Sequence, residues 1–204
     1  MWPLRDSSSS ARKRTQTCAR RRAFTTCLLI ALAGGAAFGF AQAGQAPPPR
    51  AAEDWPQFRG PTGQGHSTEQ GLPLEWSETQ NIAWKVPVSG GWSSPVIAGG
   101  RVWVTAVDAT RNKRGEDSVI SLRLIGLDVT SGREVVNTEV FKIDNPGAIN
   151  IKNSRASPTP IVDGDRVYVH FGEDGTAALT TSGQLLWSTR LRYDAQHGNG
   201  GSPV

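Results

Sequence analysis

The chain has 204 residues, with 22 Lys and Arg against 18 Asp and Glu, three His and two Cys, and a formal net charge of +4. That charge is unevenly placed: residues 1–43 hold seven of the basic and one of the acidic side chains, so the remainder has 15 basic and 17 acidic residues and a net of −2. A scattered, nearly neutral surface of this kind offers no phosphate-tracking stripe and excludes a nucleic-acid-binding role. Both cysteines, Cys18 and Cys27, fall in the first 43 residues, so the rest of the chain has no disulfide framework.

Residues 1–43 read as an export segment. Arg12, Lys13, Arg14, Arg20, Arg21 and Arg22 form a basic region, residues 28–40 an apolar run, and Ala41-Gln42-Ala43 a small-x-small cleavage site. A membrane anchor needs about 18 or more consecutive apolar residues. This run is shorter and is interrupted by Gly34, Gly35 and Gly39. Arg21-Arg22-Ala23-Phe24 fits a twin-arginine address, with Arg20 where Ser or Thr is usual; an ordinary secretory signal is the other reading. Neither cysteine lies in a lipidation context. The expected location is periplasmic or secreted, with membrane contact only during export. Residues 44–54, centred on Pro47-Pro48-Pro49, are too polar and proline-rich to bury a core and read as a linker.

From Trp55 onward the apolar residues come in short runs of Val, Ile, Leu, Trp and Tyr between glycine-containing turns, with no helical periodicity. Val102-Trp103-Val104 follows Gly99-Gly100, and Val167-Tyr168-Val169 follows Asp163-Gly164-Asp165; such turns accept positive φ and close tight hairpins. The segments repeat. Ser94-Pro95-Val96-Ile97 through Val104 aligns without a gap on Thr159-Pro160-Ile161-Val162 through Val169, and Gly201-Ser202-Pro203-Val204 opens the pattern a third time. A second element also recurs, Leu127-Asp128-Val129-Thr130-Ser131-Gly132 against Leu179-Thr180-Thr181-Ser182-Gly183. Four short strands repeating every ~40 to 50 residues predict an all-β propeller of four-stranded antiparallel blades. Blade-like copies are expected at about 93–141 and 157–192, with a third starting at 201. The longer first copy is expected to carry solvent-facing loops at 108–117 and 144–153.

These residues resemble the pyrroloquinoline-quinone (PQQ)-type propeller repeat, with its Ser-Pro, apolar pair, Gly, Val-Tyr-Val, Leu-Asp, Thr-Gly and Leu-Trp. Trp55-Pro56-Gln57-Phe58-Arg59-Gly60-Pro61 resembles the opening motif of exported proteins of that group. The resemblance covers 55–204 and implies a ring of seven or eight blades. Too few blades for a ring are present and Val204 falls at the start of a strand, so the expectation is an incomplete copy of a protein at least twice as long. The repeat is shared by quinone-dependent dehydrogenases and by the scaffold subunit of the outer-membrane β-barrel assembly machinery. That scaffold is a lipoprotein, and this chain lacks a lipidation cysteine.

Blades bury their faces on one another, and Trp84 and Trp187, with Val136 in the corresponding place of the first copy, are expected to dock adjacent blades. An early strand at 81–87 is expected to await a later partner. His66, His170 and His197 have no metal-ligand spacing and read as structural, with His170 placed after a strand. Asp163, Asp165, Glu173 and Asp174 read as turn formers. Segments just before the Ser-Pro and Thr-Pro motifs would lie at one mouth of a propeller channel. This makes Trp92, Asn153, Ser154, Arg155, His197 and Asn199 the candidate ligand residues. The expected function is a non-catalytic binding or scaffold module for protein, peptide or polysaccharide ligands, without cofactor. The alternative implied by the resemblance is a PQQ-dependent dehydrogenase with calcium, its catalytic residues lying beyond the present sequence.

Overall fold

The computed structural model describes residues 54–150, 152–191, 193 and 198–204. The expected export segment, most of the expected linker and His197 lie outside these residues. Strands β1 (Val96–Ala98), β2 (Arg101–Arg111), β3 (Asp117–Asp128) and β4 (Glu134–Asp144) form one antiparallel sheet in sequential order. Strands β5 (Ile161–Asp163), β6 (Arg166–His170), β7 (Thr176–Thr180) and β8 (Leu185–Thr189) form a second in the same order. A single 3₁₀ turn at Gly172–Asp174 is the only helical element among the described residues. No helix among them is long and apolar enough to cross a membrane.

The two sheets carry the repeat in the same register. Val96 faces Trp103 across β1 and β2, and Ile161 faces Tyr168 across β5 and β6. The intervening turns need positive φ, supplied by Gly99 and Gly100 in one copy and Gly164 in the other. Because side chains alternate along a strand, each sheet has two faces to cover. Val96, Trp103, Leu122, Leu124 and Val136 of the first sheet meet Val167, Val169, Ala177 and Leu179 of the second in one buried cluster. Opposite that face, Ala106, Ile125 and Leu127 are covered by Trp84 and Val86, which precede β1.

The expected loop at 108–117 is not a loop. β2 continues to Arg111 and β3 starts at Asp117, leaving a turn of only five residues. Charged residues occupy these strands because backbone pairing satisfies their peptide groups, while Asp108 and Arg123, 3.6 Å apart, support each other across the pair. The second expected insertion, between Asp144 and Asn153, is outside any strand where it is described.

Repetition extends to the joints between units. The indole of Trp84 lies flat on the turn glycine Gly132, where an added Cβ would meet the ring at 2.6 Å, and its Nε1 donates to Val129 O at 2.9 Å. One unit on, Val136 occupies the same place against Gly183, where a Cβ would meet Thr138 Oγ1 at 2.7 Å and Val136 Cγ1 at 2.8 Å. Both glycines also have positive φ, so each position excludes a side chain on two counts. Arg101 adds a bond from its guanidinium to Thr181 O, in the turn that carries Gly183. Trp187, the next in the series, stands 45% exposed against Tyr168, with ring centroids 6.3 Å apart.

A second series runs through the hydroxyl before each proline. Ser94 N–H donates to Thr159 Oγ1 at 3.1 Å, and Thr159 N–H donates to Ser202 Oγ at 3.0 Å. The residue before a proline is extended, and here its amide lacks a sheet partner; the neighbouring unit's hydroxyl satisfies it. The opening motif fastens the same edges. Trp55 exchanges two backbone bonds with Ile97, at 2.6 and 2.8 Å, while Pro56 O accepts from Val162 N–H at 2.8 Å. One short segment thus spans the first strands of both sheets.

Candidate functional site

The Ser-Pro and Thr-Pro segments enter the sheets at one end, and four loops converge there. Gly91 packs so closely on Thr105 that a Cβ would lie 2.7 Å from its carbonyl oxygen. Trp92 N–H and Ser93 N–H both donate to Ala156 O, at 2.9 and 3.0 Å. Thr105 Oγ1 donates to Pro158 O at 2.9 Å, which joins the middle of β2 to the loop that enters the second sheet. The Trp92 side chain itself is 58% exposed.

Asn153 and Ser154 are occupied in shaping their own loop. Asn153 Oδ1 accepts from Ser154 N–H at 2.8 Å and from Ser157 Oγ at 2.5 Å, and Ser154 Oγ accepts from Ala156 N–H at 3.1 Å. Arg155 points inward. Its Nη1 donates to Asp174 Oδ2 at 2.8 Å and its Nη2 to Gly147 O, with both charged side chains nearly buried at 11% and 12% exposure. Asp174 is therefore more than the turn former expected of it: a carboxylate beside a buried guanidinium neutralises it where water cannot. Only its place in a 3₁₀ turn agrees with that expectation.

Asn199 is brought against the same turn, its Cβ lying 2.7 Å from where a Cβ on Gly172 would be. Gly198 likewise abuts the Asn153 amide, at 2.7 Å from its would-be Cβ. Between these groups is a small pocket of about 40 Å³ lined by Ile149, Arg155, Phe171, Glu173, Gly198 and Asn199. The structure thus brings Arg155 and Asn199 to one depression, with Asn153 behind Gly198 of its lining. Trp92 stands on the adjoining loop, and His197 lies outside the described residues.

His170 ends β6 beside this site. Its Nδ1 is 2.8 Å from Thr176 Oγ1 and its Nε2 is 3.4 Å from the Tyr193 hydroxyl. Burial holds the imidazole pKa below its usual value, favouring the neutral ring. Tyr193 is pushed the other way, by burial first and then by the negative charges of Glu173 and Asp174. Both shifts favour the uncharged form of the group. Sequence reasoning missed Thr105 and Asp174. Thr105 occupies the register position of His170 and so carried no pattern of its own, while Glu173-Asp174 before Gly175 matched turn composition.

Among the described residues no group of three or more His, Cys, Asp or Glu side chains is placed to hold a metal ion. At this end the one nearly buried carboxylate among the described residues, that of Asp174, is engaged by Arg155. No curated protein matches the chain. Residues 67–203, about two-thirds of the chain, match the family described as outer membrane protein assembly factor BamB, built from PQQ-type repeats. With two stacked four-stranded sheets carrying that repeat, the chain is a PQQ-like repeat protein and belongs to the BamB family.

Proposed function

We propose that this chain is an exported, non-catalytic binding module that engages protein or peptide partners through the loops at the Ser-Pro end of its sheets. The observation that carries the reading is how those loops use their polar groups. Arg155, Asp174, Asn153 and Ser154 are all bonded to one another or to backbone, so they hold a shape and leave no charge poised for chemistry. What faces outward is the exposed Trp92 indole, the kind of amphipathic surface that anchors protein interfaces. The family description, an outer membrane protein assembly factor, supports a protein as the partner and the periplasm as the place. Polysaccharide is the less favoured ligand on that ground.

Two assays test the reading. In the first, the full chain is mixed with PQQ and calcium, desalted and supplied with alcohols and an artificial electron acceptor; no retained quinone absorbance and no dye reduction are expected. A quinone that stays bound and supports reduction overturns the non-catalytic assignment. In the second, the affinity for an unfolded outer-membrane β-barrel polypeptide is measured before and after Trp92→Ala. A loss of about tenfold with unchanged melting temperature is expected of an exposed anchor; an unchanged affinity removes this surface from the account.

A further inference from the structure

β2 and β6 start at equivalent residues, Arg101 and Arg166, yet β6 ends at His170 while β2 runs six residues past its counterpart Thr105, to Arg111. At about 3.3 Å per residue this carries the β2–β3 hairpin ~20 Å beyond the level at which the second sheet stops. The base of the extension serves the core, since Ile120 and Phe141 are buried there and Val107 and Ile143 pack against them. From Asp108 to Arg111 every residue of β2 is exposed.

This solvated tip is nevertheless built with care. Asn112 N–H donates to Glu116 O at 2.8 Å, and Gly115 N–H to Asn112 O at 3.0 Å. Asn112 Oδ1 accepts from Arg114 N–H at 2.8 Å and from Glu116 N–H at 3.1 Å, while its Nδ2 donates to Glu116 Oε2 at 3.0 Å. Below the turn, Arg111 Nε is 3.4 Å from Asp117 Oδ1, and Ser118 Oγ donates to Thr110 O at 2.9 Å. These bonds cover no apolar surface; their effect is to fix the tip and to engage the carboxylates of Glu116 and Asp117. Lys113 and Arg114 are left at the apex, and neither forms an ion pair among the described residues.

We propose that the β2–β3 hairpin is a recognition arm whose apex, Lys113 and Arg114, docks against an acidic site on a partner protein. A rigid tip loses little entropy on binding, which is the use of fixing it in advance. The partner is a protein surface in preference to an anionic bilayer. Residues 108–117 hold three basic and three acidic side chains, whereas attraction to anionic lipid is typical of clusters of about four to eight Lys or Arg. Interleaved signs instead set register against a complementary surface. The arm is separate from the Trp92 loops, so this proposal stands or falls without the preceding one.

The test is zero-length carbodiimide coupling of the full chain to an oligoglutamate peptide, with the adducts located by mass spectrometry. Lys113 is expected to carry about fivefold more adduct than the exposed Lys142 and Lys152, given local charge complementarity. Arg114→Ala and Asn112→Ala are each expected to lower the Lys113 adduct severalfold while leaving the other two lysines unchanged. The Asn112 variant keeps both cations, so its loss reports the fixed tip and not charge alone. Equal labelling of the three lysines overturns the proposal. So does loss of co-sedimentation with phosphatidylglycerol vesicles in the K113E/R114E variant, which would make the arm a lipid contact; unchanged co-sedimentation supports the protein reading.

Discussion

The two sheets are written in one pattern and buried to different degrees, and the difference shows what the repeat is for. Trp103 and Tyr168 hold the same position in their copies. Trp103 is fully buried because the second sheet lies on it, whereas Tyr168 is partly exposed, with the half-exposed Trp187 as its aromatic neighbour. A strand pattern therefore specifies which face a residue takes, but the neighbouring unit decides whether that face is dry. Among the described residues, the first sheet is covered on one side by the second sheet and on the other by Trp84 and Val86, and the second sheet is covered by the first.

Removing the large side chain from each sheet is the hardest test of that contrast. Trp103→Ala is expected to cost ~3 to 5 kcal/mol and Tyr168→Ala about 1 to 2 kcal/mol, read from denaturant unfolding of the full chain. Similar costs at both sites would mean the second sheet is not seated on the first. Arg155→Met comes next. It strands Asp174 in a nearly dry site, so a loss of about 3 kcal/mol is expected, and a loss below about 1 kcal/mol would show that water reaches the carboxylate freely. A glycine pair follows. Gly183→Ala adds contact with Val136 and Thr138 to the strain of positive φ and is expected to cost about 2 to 4 kcal/mol. Gly164→Ala, strained but in open space, is expected to cost only about 1 kcal/mol. Equal effects would remove the packing of one unit on the next turn.

The smallest effect concerns pH. Burial lowers the folded pKa of His170 below its unfolded value, so the unfolded chain takes up the proton first as pH falls. The contribution is fully present above the unfolded pKa, near 6.5, and is lost as pH drops from there through the folded value. His170→Asn should flatten that part of the stability profile; an unaltered profile would mean that the imidazole is solvated.

Much of this architecture is legible in the amino-acid order. Ser94-Pro95 against Thr159-Pro160, and Val-Trp-Val against Val-Tyr-Val, carry the strand period and the turn chemistry together, so hairpins and stacking follow from local rules. Trp84 and Val136 share a place in their copies, but only the fold shows that each packs on a turn glycine, Gly132 and Gly183. The loop expected at 108–117 failed because its charges were read as solvent exposure, and an exposed strand satisfies its backbone as well as a buried one does. At the candidate site Arg155 was legible as a residue near the mouth, but its partner Asp174 is nineteen residues away on another loop, and only the fold brings them together. The hydroxyl of Thr159 was visible as part of a motif. That it reaches back to an amide 65 residues earlier was not.

That amide offers the most direct measurement. Ser94 N–H belongs to no strand pair, and its partner is Thr159 Oγ1 of the next unit. Native-state hydrogen exchange of the full chain is expected to show Ser94 protected, and Thr159→Val is expected to speed its exchange about tenfold or more while Val104 of β2 keeps its protection. Exchange of Ser94 at the rate of an unstructured peptide in the unaltered chain would contradict the stacking on which the whole account rests.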